Sequence, residues 1–273
     1  MVSVTSLRGG AAPEGSASQG GAPQGGAPEA SPAQGSAPEP GSTAGPGPSL
    51  WLDTDVLGVR GVNARLRDLG SGAVATIGNP AGRHSLAVGL DAEISVTVDG
   101  PAGYYVGGLG KRAAITVQGP AGWGVAENLM SGSVCVHGDA SQAAAASAHG
   151  GLIVVHGNAS LRAGISLKGA ALAVAGDVGP FCGFMAQAGT ILIGGDAGDG
   201  LGDSLYEAVI YVAGKIRGLG ADAQVEDLSE ADVRAVQDLV ECTGFGHIDP
   251  EKVTRVGSAR QLYHFDSQNH SSY

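Results

Sequence analysis

Pairs of aliphatic residues two positions apart recur along the middle of the chain: Ile115/Val117, Val134/Val136, Ile153/Val155, Leu172/Val174, Ile191/Ile193 and Ile210/Val212. Spacing of this kind predicts a short strand with one apolar face at every recurrence. Two residues before each pair stands a small side chain, from Ala113 through Gly132, Gly151, Ala170 and Gly189 to Ala208. Two residues after each pair stands a glycine. With Gly100 these form a series, Gly119, Gly138, Gly157, Gly176, Gly195 and Gly214, that keeps a period of 19 without a slip. A small apolar residue follows two positions after most anchors, as at Ala102, Ala121, Ala140 and Ala159.

A fixed period of this size marks a solenoid, one turn per repeat. Helical solenoid repeats run to about 33 residues or more, and interior glycine costs a helix ~1 kcal/mol relative to alanine. Nineteen residues in extended chain make a closed loop of roughly 60 Å, and stacked loops lie about 4.8 Å apart. The pattern therefore predicts about eight coils of a parallel β-helix. The anchor glycines would sit at corners that need positive φ or close backbone approach. An irregular first coil, Thr76–Gly82, precedes Gly100 with an apparent three-residue insertion. The aromatic content of 4% agrees with a narrow interior.

Three regions follow. Residues 1–50 are Gly, Ala, Pro, Ser and Gln with almost no large apolar side chains, and are expected to be a disordered tail. Residues 51–224 are the expected β-helix domain. Residues 225–273 change period. Ser229 is placed to cap a helix whose first turn holds Glu230 and Asp232, whose apolar face is Val233, Val236, Leu239 and Val240, and which Gly244 ends. That helix is expected to close one end of the solenoid. The last residues, Arg260–Phe265, are expected to pack along the coils or be held by a partner.

Net charge is −11, which disfavours nonspecific binding to nucleic acid or anionic membranes. No apolar run reaches membrane-spanning length, and no leader pattern opens the chain. Cys135, Cys182 and Cys242 have no paired spacing, as expected of a reducing, cytoplasmic compartment.

Chemistry is sparse. There is no P-loop, no dinucleotide fingerprint in a βαβ setting, no GxSxG elbow and no CxxC. His137 and His156 occupy one position of adjacent coils and should stack. The next coil offers Ala175 there rather than a third ligand, so no metal site is assigned. Asp139, Asn158, Asp177 and Asp196 form a second ladder, read as turn residues bonding backbone, with a cation or partner contact as the alternative. Stacked Asp177 and Asp196 should repel unless something intervenes. Asp199, Asp203 and Glu207 crowd the last coils beside Tyr206. No nucleophile accompanies them, which favours a partner-facing acidic patch over an acid–base pair.

The run from Gly176 to Asp222 carries a family resemblance. It holds Gly176–Phe181, Met185–Gly189, Gly194–Ala208 (GGDAGDGLGDSLYEA), Ile210–Gly214 and Gly218–Asp222. This resembles the GXGXG domain, the right-handed β-helix that ends the large subunit of glutamate synthase. It is most similar to the stand-alone form, the β-helix subunit of N-methylglutamate synthase (methylamine–glutamate N-methyltransferase). The tail from Gly257 to Tyr263 is similar to that form too. The alanine-rich coil Gln142–Ala148 and the long N-terminal tail depart from the family pattern. The resemblance implies an all-β fold, a right-handed parallel β-helix with a short C-terminal helix and tail. It also implies a scaffold without catalytic, cofactor-binding or metal-binding residues of its own. The partners would be a glutamine-amidotransferase-like subunit and a glutamate-synthase-like subunit that bears FMN and an iron–sulfur cluster. Docking is expected at Asp196, Asp199, Asp203, Tyr206 and Glu207, polar groups on a rigid frame. Three alternatives stand beside this: a split glutamate synthase or another amidotransferase-coupled transfer, a free-standing interaction protein, and an autonomous enzyme at the acidic cluster.

Overall fold

The computed structural model describes residues 50–259. The expected disordered tail over residues 1–50 (save Leu50) and the expected docking of Arg260–Phe265 lie outside the described residues. In chain order the elements are β1 (Leu50–Asp53), α1 (Thr54–Arg67), β2 (Val74–Gly78), β3 (Ser95–Val98), β4 (Ala114–Val117), β5 (Ser133–Val136) and β6 (Leu152–Val155). There follow β7 (Lys168–Val174), β8 (Ala188–Ile193), β9 (Val209–Val212), β10 (Ala223–Glu226), α2 (Glu230–Thr243) and β11 (Thr254–Ser258).

Strands β2 to β9 pair in parallel, each with the next, so eight strands are joined by seven turns of a β-solenoid. The register follows the period read from sequence: Ile115 faces Val134, which faces Ile153, and the column continues through Leu172 and Ile191 to Ile210. Both members of every aliphatic pair are buried in one continuous core that contains no aromatic ring. A second column of contacts, Ala102–Ala121–Ala140–Ala159–Val178–Ala197–Ile216, stacks as parallel bridges on another side of the coil. The first coil is longer. Its register, Ile77 against Val98, is 21 residues, so the insertion is two residues rather than three.

The far side of each coil is built from left-handed backbone. Leu109, Asn128, Ser147, Ser166, Met185 and Ser204 share one position, at φ between 52° and 57°. Non-glycine residues pay roughly 1–2 kcal/mol for that conformation. The return is a ladder: the N–H of each points along the solenoid axis to a carbonyl of the following coil, as Leu109 to Glu127 (2.9 Å) and Asn128 to Ala146 (2.9 Å). The alanine-rich coil uses the same geometry, with Ala143 and Ala145 at φ of 58° and 59°.

Both ends are closed, and neither by the C-terminal helix expected to close one of them. At the N-terminal end, β1 adds a parallel strand to β2 and α1 lays Val62 and Leu66 into the interior. Asn63, buried in α1, bonds the exposed edge of the first coil. Its Nδ2 donates to the Ser85 carbonyl (2.7 Å) and its Oδ1 accepts from the Ala87 N–H (2.8 Å). The 19-residue pattern says nothing of this helix, because it belongs to no coil. At the C-terminal end, β11 pairs antiparallel with β9, and β10 pairs antiparallel with β11.

Helix α2 begins and ends as read from sequence: Ser229 and Asp232 form a reciprocal capping box and Gly244 is the left-handed C-cap. Its position corrects the expectation. It does not close an end; it lies on the outer flank of the sheet. There Val236, with Phe245, Ile248 and Val253 beyond the helix, packs on Val154, Ala173, Leu192 and Tyr211. Those four alternate with interior residues along β6 to β9, so these strands are buried on both faces. A helix with one apolar stripe gains more from that surface than from an end already covered by strands.

Candidate functional site

The anchor glycines and the Asx ladder are two halves of one corner. Asp139 Oδ1 accepts the Asn158 N–H at 2.7 Å, Asn158 Oδ1 the Asp177 N–H at 2.9 Å, Asp177 Oδ1 the Asp196 N–H at 2.7 Å, and Asp196 Oδ1 the Lys215 N–H at 2.8 Å. A Cβ on Gly157, Gly176 or Gly195 would lie only 2.2–2.3 Å from the Oδ1 of Asp139, Asn158 or Asp177. Glycine is needed there for close approach rather than for positive φ. Each carboxylate faces a backbone amide, and this accommodates the like charges of Asp177 and Asp196.

The five residues singled out for docking are strung around the last coils. Asp196 is the end of the corner ladder and is half-buried. Asp199 is exposed in the following turn, where its carbonyl accepts the Phe181 N–H (2.8 Å). Asp203 is half-buried. Its carbonyl accepts the Met185 N–H (2.9 Å) and its Oδ1 the Ser204 hydroxyl (3.0 Å). Tyr206 and Glu207 are exposed and line a depression together with Met185 and Gln187. Thus the structure joins Tyr206 to Glu207, while the three aspartates are set on other parts of the coil.

His137 and His156 stack as expected, with ring centroids 4.8 Å apart and planes inclined by 9°. One coil further along, the same position holds Ala175 and offers no third group. The third group instead lies on the same strand. Cys135, two residues before His137, points to the same outer face, and the ligand atoms of Cys135, His137 and His156 lie within 4.8 Å of one another. The signal was the i, i+2 spacing of Cys135 and His137. Burial, and after it the neighbouring His137 charge, lower the pKa of His156. Burial raises that of the Cys135 thiol. Phe245, brought in by the turn after α2, lies T-shaped to His156 with ring centroids 5.4 Å apart.

Two further clusters escaped the sequence. His84, Tyr104 and Trp123 stack down one corner, with centroids 4.2 Å and 5.2 Å apart; Tyr104 and Trp123 are a period apart, which is the legible sign. Under α2, Tyr211 donates to Asp232 Oδ1 (2.6 Å), which also accepts from Arg255 Nε (3.0 Å), and Arg255 pairs with Glu226. Burial, then Asp232, push the Tyr211 phenol up. Burial opposes ionisation of Asp232, but bonds from Ser229 and Tyr211 outweigh it and hold this carboxyl below its usual value. This network ties α2 and β11 to the last coil.

No helix among the described residues is long and apolar enough to cross a membrane. No protein-family model matches the chain. The chain is similar to Protein GlxC of Rhizobium meliloti (strain 1021), with 42% identity over 73 residues. That match covers 27% of this chain and 32% of GlxC, so it spans about a third of the relative's length.

Proposed function

We propose that this chain is a non-catalytic scaffold subunit of a glutamate-synthase-like complex, in the first place N-methylglutamate synthase, which forms N-methylglutamate by transfer of a methylamino group. The observation that supports this most is the segment Gly194–Ala208. It bears the family resemblance, and it forms the connection from β8 to β9, whose exposed Tyr206 and Glu207 border a depression with Met185 and Gln187. The solenoid fold and the partial likeness to GlxC are in keeping with the coarser part of the reading, a glutamate-synthase-related role. In this proposal the chain works in the cytoplasm. A glutamine-amidotransferase-like subunit supplies the amino group chemistry, and a partner with FMN and an iron–sulfur cluster carries the redox step. The β-solenoid holds the two in register through Asp196, Asp199, Asp203, Tyr206 and Glu207.

A split glutamate synthase, or another amidotransferase-coupled transfer, would use the same surface with a different acceptor. Affinity purification of the full chain from its native cell, with mass spectrometry of what accompanies it, tests the shared part. Recovery of both partner types supports it, and assay of the complex with methylamine or glutamine then separates the two reactions. Recovery of the chain alone would instead favour a free-standing interaction protein. Within the complex, Tyr206→Ala with Glu207→Ala is expected to weaken assembly at least about tenfold, as for a central interface anchor. Unchanged assembly would remove this surface from the proposal.

A further inference from the structure

We infer that Cys135, His137 and His156 form a binding site for a borderline-soft divalent cation such as Zn2+, on the outer face of the solenoid at the margin of α2. The three side chains come from two adjacent strand ends, β5 and β6, whose parallel register fixes them. Cys135 and His137 share a face by alternation, and His156 stands beside His137 one coil on. One thiol and two imidazoles are the donor set that zinc-type ions select over Mg2+ or Ca2+, which take oxygen.

The spacing of the donor atoms is close to what such an ion needs, while the two imidazoles, stacked with planes inclined by 9°, have to turn so that a nitrogen of each points at the ion. The three ligand atoms lie within 4.8 Å of one another. A tetrahedral ion with bonds of ~2.0–2.3 Å draws its ligands to roughly 3.3–3.8 Å apart. Contraction by about 1 Å is within reach of side-chain rotation, since both imidazoles are exposed while the strands beneath stay paired. On binding, the Cys135 S–H bond gives way to an S–metal bond and the proton leaves to solvent, as thiolate ligation requires. Three protein ligands leave a fourth position for water or a partner's donor.

This inference stands apart from the scaffold proposal, because its test uses the isolated chain. Tag-free full-length protein is titrated with Co2+ under reducing conditions and followed by absorption, then with Zn2+ as competitor. The expected result is one Co2+ per chain with a thiolate-to-cobalt band in the near ultraviolet, displaced by Zn2+. Cys135→Ser should abolish the band. His137→Gln, at an exposed position where folding is not at stake, should weaken binding at least about tenfold, the scale on which even outer-sphere changes act. Cys242→Ser should change nothing. Absence of the band in the unaltered chain, or its persistence in Cys135→Ser, overturns the site; so does unchanged affinity in His137→Gln.

Discussion

In β3 to β5 the outward residues Thr97, Thr116 and Cys135 are half-buried, whereas their register partners in β6 to β9, Val154, Ala173, Leu192 and Tyr211, are buried beneath α2 and the turn that follows it. The interior columns of the two halves are alike, aliphatic pairs in an unbroken core. The difference teaches that the coil is specified from within and that its exterior is free to carry other work. One half presents its sheet and the stacked ring corner, and the other accepts a helix. The cluster of Cys135, His137 and His156 sits where the two exteriors meet.

The strongest way to break the comparison is inside the core, where the halves should respond alike. Ile115→Ala and Ile191→Ala each remove a fully buried side chain and should each cost about 2–5 kcal/mol, read from the shift of the urea midpoint. A cost confined to one half would show that the coils do not share one cooperative core. Next is the cover. Val236 is fully buried under α2, and Val236→Ala should cost ~2 kcal/mol of burial. Hydrogen exchange should accelerate over α2 and β11 while β3 to β5 keep their protection. Equal acceleration in both halves would mean that α2 supports the whole solenoid rather than its own flank.

The smallest effect sharpens the attachment of that cover. Asp232 joins Ser229, Tyr211 and Arg255, and Asp232→Asn should cost about 1–2 kcal/mol near neutral pH. Because its folded pKa is depressed below 3.8, its contribution is fully present above the unfolded value and is lost as pH falls through the lower folded value. The variant should therefore lose part of the acid-limb slope. An unchanged pH–stability curve would assign that slope to other carboxylates.

Much of the fold was legible because the coil is a local object. The strand pairs, the anchor glycines and the stacking of His137 on His156 all follow from one period. The cap and stop of α2 were legible too, but from local signals, Ser229 with Asp232 at its start and Gly244 at its end. The residues expected to dock a partner were legible only as types: Tyr206 and Glu207 meet in one depression, whereas Asp196 turns out to cap the Lys215 amide. Helix α1 was not legible, since its buried Val62, Asn63 and Leu66 answer to the unpaired edge of the first coil rather than to any repeat.

By itself the sequence determined the repeat. Nineteen residues, a glycine and an aliphatic pair leave one way to bury every pair while bonding every strand to the next. Only the tertiary structure decided what lies against the outside of the coils. A change of Thr116 and Cys135 to Val154, Ala173 and Leu192 marks a buried flank, but it does not say what buries it. That depended on the turn after Gly244 carrying Phe245 and Ile248 back across β6 to β9. The meeting of Cys135 with two histidines was decided in the same way, because strand alternation and coil stacking act in perpendicular directions and only their product brings three side chains together.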